Sequence, residues 1–389
     1  MQKAKTWMII AAIMIVIGIA GATMIILHGE EAMGTSDRMP WGAMIAGYEF
    51  FVVTSAGLCL VGSLGYIFKI KQFEIVSKRA VAMAIVTLLS GFIIIGMELG
   101  NPLNMIYLML SPNLTAPIMW MGALYSVYLV LMVLQLILMI TNKQKLAVAT
   151  GTVAFLTALA ALSNMGGVFA LINARPYWNG PYLPVYFLLS AFLSGVVLLS
   201  IIFYFVERQG GTVRQVGTHI MPILGKLLAM FLAMMMFFVI WKMISGVYGG
   251  VPGKYEAVVA VVVGPLAWKF WIFEVGFGMV IPFVILMLPG GFQSKRIFPA
   301  AVLALIGAFF MRYDLVIAGQ LVPLKVVGGA TDVAYHSFQT GLPAWGVIVG
   351  ALGVAILLYL LAEQKLPLDY QDNSGFPKKQ VGHTAATGI

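Results

Sequence analysis

Ten separate stretches of this chain stay apolar for about 20 residues or more, and no other feature limits its folding so severely. A run of that length matches a hydrocarbon layer about 30 Å thick. Inside such a layer a single segment satisfies its own backbone polar groups only as a helix. The runs lie near 7–27, 42–68, 80–98, 117–141, 146–172, 183–206, 220–246, 265–288, 297–321 and 343–362. Composition agrees, because 61% apolar and 10% charged residues with a mean hydropathy of +0.99 exclude a soluble globular domain. The expected class is all-α, a polytopic membrane protein of about ten helices. The first apolar run continues past Ala20-Gly21-Ala22 to Leu27, which is too long for a cleaved leader and predicts a retained span.

Basic residues between the runs set the expected direction. Lys3, Lys5, Lys69, Lys71, Lys78, Arg79, Lys143, Lys145, Arg208, Arg214, Lys295, Arg296, Lys365, Lys378 and Lys379 fall on the side of the termini. Only Arg38, Arg175, Lys242, Lys254 and Lys325 are assigned to the other side. The bias predicts a multi-pass protein of the cytoplasmic membrane with both termini inside. The net charge of +9 is thus read as topology, not as affinity for nucleic acid.

Two internal echoes suggest a repeat. "YEFFVVTSAG" (48–57) resembles "YFLLSAFLSG" (186–195), and "PIMW" (117–120) resembles "PLAW" (265–268), each pair four spans apart. The expected organisation is a first helix and outer loop (1–41), a four-helix bundle (42–172), and a second, parallel one (173–321). An outer loop with the tenth helix (322–364) and a cytoplasmic tail (365–389) complete it.

Charges inside the spans are the candidate chemistry, since each costs at least about 2.5–3.5 kcal/mol at the bilayer centre unless paired or hydrated. Glu49, Glu98, Lys269, Glu274, Arg312 and Asp314 all fall in the outer half when depth is counted at about 1.5 Å per residue. Structural ion pairs between Arg312 and an acid on another span are the bland explanation. Arg312 and Asp314 are two apart and cannot face one another on one helix. The four histidines, His28, His219, His336 and His383, lie at span ends, in loops or in the tail, and the single cysteine is Cys59. This leaves no axial pair for a haem and no cysteine set for a cluster. If the chain takes part in electron transfer, its redox group is an exchangeable one, and membrane quinone fits a site needing ionisable groups.

"RMPWGAMIAGYEFFVVTSAG", "WKFWIFEVGFGMVIPFVIL" and "RYDLVIAGQLVP" resemble segments of the NrfD/polysulfide-reductase (PsrC-like) membrane subunits, and the ten spans resemble that family's longer branch. That branch includes the membrane subunits of hydrogenase 2, Qrc and the menaquinol-linked Dsr and Hme complexes. The resemblance implies a subunit without covalently bound cofactor, haem, metal or iron–sulfur cluster. It would bind menaquinone near the outer face and exchange electrons with a ferredoxin-like four-cluster iron–sulfur subunit docked there, in anaerobic respiration. Glu49, Glu274 and Asp314 would transfer protons and Arg312 would pair with them. Tyr48, Glu98, Lys269, Tyr313 and His336 would contact the quinone. Proton translocation is an open addition, and a secondary transporter or a purely structural membrane anchor are the alternatives.

Overall fold

The computed structural model describes residues 2–99, 102–208, 211–324 and 334–368. Ten helices are long and apolar enough to cross a membrane: α1 (Lys5–His28), α2 (Ala43–Tyr66), α3 (Lys71–Glu98), α4 (Pro117–Ile140), α5 (Gln144–Ala170), α6 (Tyr182–Val206), α7 (Thr218–Tyr248), α8 (Ala267–Met287), α9 (Ser294–Leu321) and α10 (Leu342–Lys365). The chain is therefore an all-α, multi-pass membrane protein. Helix α3 starts nine residues before its apolar run, because the amphipathic stretch "KQFEIVSKR" is wound into it and buries Phe73, Ile75 and Val76. The expected tail falls outside the described residues except at its start, as does Lys325 in the long loop before α10.

The least apolar span is also the most enclosed. Helix α2 is the most enclosed and α1 the least. The echoed segments of α2 and α6 pack against each other where they end: a methyl on Gly57 would collide with the Ala191 carbonyl, and one on Gly195 with the Gly57 carbonyl. Small residues are what let membrane helices approach this closely. Helix α9 packs against α2, α6 and α8, so its charges enter the interior. Helices α1 and α10 pair through a similar seam, with Gly18 against Gly350 and Gly21 against Gly346. Near the face where α1 begins and α10 ends, here the basic face, Arg79 of α3 meets Glu363 of α10 at 2.9 Å and donates to the Leu368 carbonyl at 3.4 Å.

The opposite face is closed by a buried aromatic layer. Trp41 stacks on Trp178 with ring centroids 5.3 Å apart, and Phe169 packs edge-on to both. Gln320 exchanges hydrogen bonds with the Trp41 backbone, and Trp178 Nε1 donates to the Leu315 carbonyl at 2.8 Å. Together they fix the last turns of α9 below the loops.

Candidate functional site

Helix α9 presents its charges to two sides, as the two-residue spacing dictates. Arg312 points toward α6, where it donates to Ser190 Oγ at 2.5 Å and its guanidinium lies 4.5 Å from the Phe187 ring centroid. Carboxylates do not touch it: among the described residues no acid lies within 4.0 Å of the Arg312 guanidinium. Glu49, fully buried on α2, is its electrostatic neighbour, and both Glu49 carboxyl oxygens lack a protein hydrogen-bond partner. Tyr48 and Tyr125 complete this group, with the buried Tyr125 hydroxyl also lacking a protein partner. Arg312 thus bonds Ser190 rather than a carboxylate, and both acids expected to face it from other spans, Glu49 and Glu274, feel its charge without an ion pair.

On the other side of α9, Asp314 approaches Glu274 of α8. Neither Asp314 oxygen has a well-formed hydrogen bond from a nitrogen or hydroxyl donor. Two buried carboxyls facing one another are a site for one shared proton, because two adjacent negative charges repel. The cation set against Glu274 is Lys242 of α7, whose ammonium lies 4.1 Å from the Tyr177 ring centroid and 5.7–5.8 Å from those of Tyr186 and Tyr182. Lys242 lies inside the span, which runs on to Tyr248, near its end on the loop face. Tyr177, in the loop before α6, is fully enclosed, and burial followed by the Glu274 and Asp314 charges pushes its phenol well up.

A third cluster sits between α8, α9 and the start of α10. Lys269 Nζ donates to the Tyr313 hydroxyl at 2.8 Å, the same hydroxyl lies 3.2 Å from Thr340 Oγ1, and the Tyr313 ring stacks on Trp345. Lys269 and Glu274 both address α9 although five residues separate them. The cause is the backbone: Phe270–Val280 is π-helical. With bonds running from i to i+5, residues five apart stack, whereas α-winding would turn them about 140° apart.

Two expected residues lie elsewhere. Glu98, at the end of α3, accepts from the Gly42 backbone N–H and lies near Glu30. His336 is anchored through its backbone N–H to the Leu321 carbonyl at 2.9 Å, and its ring faces Arg38 and Arg175 at the loop surface. Partial burial, then those two cations, hold its imidazole below the ordinary 6.5. The structure thus gathers Glu49, Tyr48 and Arg312 in one group, Asp314 and Glu274 in a second, and Lys269 with Tyr313 in a third. Lys242, Tyr125 and Ser190 were missed. Only Lys242 left a signal, as a charge inside the seventh apolar run. Among the described residues no three His, Cys, Asp or Glu side chains come together to hold a metal.

A family model described as polysulphide reductase, NrfD, matches residues 31–324. The Hdr-like menaquinol oxidoreductase integral membrane subunit of Archaeoglobus fulgidus is 26% identical over 346 residues, covering 86% of each chain. A selenate reductase subunit of Mesobacillus selenatarsenatis is 22% identical over 411 residues, 94% of each chain. Protein NrfD of Escherichia coli is 28% identical over 322 residues, 73% of this chain and 96% of its own.

Proposed function

The chain belongs to the NrfD polysulphide reductase family, and on that premise we propose that it is the quinone-reactive membrane subunit of a multi-subunit respiratory oxidoreductase. The observation that carries the reading is the set of three enclosed acids, Glu49, Glu274 and Asp314, set among Arg312, Lys242 and Lys269 rather than fastened into ion pairs. A structural set of charges would be paired, because an unpaired buried charge costs several kcal/mol. A proton-handling set must leave carboxyls able to gain and lose protons. Menaquinone, the ligand proposed here, supplies two-electron chemistry coupled to two protons.

In this reading Glu49 and the Asp314–Glu274 pair hold and release those protons. Lys269, with Tyr313 held between it and Thr340, offers hydrogen-bond donors to a carbonyl oxygen. Arg312 balances Glu49, and Lys242 balances Glu274. The donor set suits a polar head group, since the Glu49 and Asp314 carboxyl oxygens and the Tyr125 hydroxyl are buried without a protein hydrogen-bond partner. The basic face is assigned to the cytoplasm, both termini with it, and the acids to the outer half. An iron–sulfur, ferredoxin-like subunit on the outer face is the proposed electron partner, and spans 2–5 and 6–9 are the proposed repeated bundles.

Replacing Arg312 with Ala in the assembled complex tests the reading. Turnover with a water-soluble naphthoquinol should fall at least tenfold, about 1.4 kcal/mol of barrier, while the other subunits still co-purify. Loss of assembly with normal turnover in what survives would make the charges structural and the chain an anchor.

A further inference from the structure

The basic face holds a cleft of about 550 Å³ that the proposed quinone site leaves unused, between the turn joining α2 to α3 and the turn joining α4 to α5. Its size is inside the roughly 300–1,000 Å³ range of ligand pockets. Three cations, Lys69, Lys71 and Lys78, line it against a single acid, Glu74. Among the described residues no acid lies within 4.0 Å of any of the three ammonium groups. Lys69 and Lys71 are exposed at the turn, whereas Lys78 is half-buried seven residues into α3, roughly 10 Å along its axis at about 1.5 Å per residue. A lysine at that depth keeps its charge by reaching water or an anion.

The backbone around the cleft favours an anion as well. Helices α3 and α5 both begin at its edge, with Lys71 and Gln144 as first residues, and neither start is capped by a side chain. Their first N–H groups add partial positive charge to that of the lysines. Lys69 and Asn142 are the two non-glycine residues with positive φ among the described residues, at 55° and 57°, and both line this cleft. Left-handed backbone is uncommon in a lysine. Such conformations persist where the surroundings over-determine them, and they recur at ligand clamps.

The walls indicate where the anion comes from. Ile75, Met139 and Val148 give the cleft an apolar side. Phe68 and Ile70, on either side of Lys69, are exposed, and the Phe68 ring meets Phe155 of α5 edge-on at 5.8 Å. Helices α4 and α5 are among the least enclosed spans, so the cleft borders lipid-facing surface. A free phosphate gains nothing from apolar walls, whereas a lipid phosphate arrives with acyl chains that need them. Basic pockets between membrane helices are a recurrent solution for holding anionic head groups.

We propose that this cleft is a binding site for an anionic phospholipid from the leaflet on the basic face. Lys69, Lys71 and Lys78 hold its phosphodiester, and its acyl chains leave along α4 and α5. The lipid ties the α2–α3 turn to the α4–α5 turn.

The test strips the assembled complex of lipid in detergent and titrates it with dioleoylphosphatidylglycerol or dioleoylphosphatidylcholine, counting bound lipid by native mass spectrometry. The wild type should take up one phosphatidylglycerol at least tenfold more tightly than phosphatidylcholine. Lys69→Gln/Lys71→Gln/Lys78→Gln should lose that preference. Lys5→Gln/Lys226→Gln/Lys295→Gln, which removes three exposed charges outside the cleft, should keep it. Equal loss in both triple variants would reduce the binding to diffuse surface charge and overturn the site. If the cleft variant fails to assemble, Lys69→Gln alone decides, and it should weaken phosphatidylglycerol binding about fivefold. Excess inorganic phosphate should not displace the lipid, and displacement would make this a free-phosphate site instead. Removing residues 369–389, which follow the cleft-lining Leu368, should leave the affinity unchanged. A tenfold gain on removal would make the tail the occupant and overturn the lipid assignment.

Discussion

Gly57 and Gly195, the last residues of the two echoed segments, meet backbone to backbone where α2 crosses α6. Neither position has room for a methyl group. Gly57→Ala should destabilise the protein by about 1–3 kcal/mol, the usual cost of overpacking, and more if the backbones cannot separate. The check is the thermal aggregation midpoint of the detergent-purified variant. An unchanged midpoint would mean that the crossing is looser than described.

Lys242 carries the charge nearest in influence to Glu274 while lying within a ring of three tyrosines. Lys242→Met keeps the length of the side chain and removes its charge. Quinol-linked turnover should fall at least tenfold, about 1.4 kcal/mol, with assembly retained because Glu274 and Asp314 can neutralise by holding protons. Wild-type turnover in the Lys242→Met complex would remove Lys242 from the site.

Arg79 and Glu363 tie α3 to α10 with side chains only 4% and 20% exposed. Arg79→Met removes the 2.9 Å contact with Glu363 and should destabilise the protein by about 1–3 kcal/mol, the usual range for losing a hydrogen-bonded partner of a buried group. Adding Glu363→Gln should restore most of the loss. Denaturation of the single and double variants in mild detergent gives the coupling, and strict additivity would contradict a direct interaction.

His336 gives a pH dependence whose sign follows from its surroundings. Its imidazole is held below 6.5 by partial burial and by Arg38 and Arg175, so the packed segment favours the neutral ring. Protonation favours the released segment instead. Packing of residues 334–341 should therefore be complete above about pH 6.5 and weaken as pH falls below it. Hydrogen exchange of this segment should speed up at acid pH in the wild type, and His336→Gln should lose that acid response.

The ten spans were legible because length and hydropathy alone decide whether a helix can cross a membrane. Arg312, Asp314 and Glu274 stood out for the same reason, as charges in apolar runs. Their partners were not legible. Ser190 and Arg312 are 122 positions apart, and nothing local in either segment announces the contact. Lys242 was read only as a topology marker, because a basic residue near the end of a run is counted toward its face and not toward the interior. Glu98 was grouped with the other acids by depth alone, and depth says nothing about which side of the bundle a helix occupies. The winding of α8 was hidden too, since i→i+5 bonding has no pattern in residue type that separates it from an ordinary apolar helix.

That winding has a mechanical consequence. Eleven residues, Phe270–Val280, share one wide coil that carries Glu274 and follows directly on Lys269. Re-forming i→i+4 bonds there would rotate the carboxyl relative to the lysine and away from Asp314, so the alignment of the two groups is held by backbone register and is lost through substitutions that touch neither side chain.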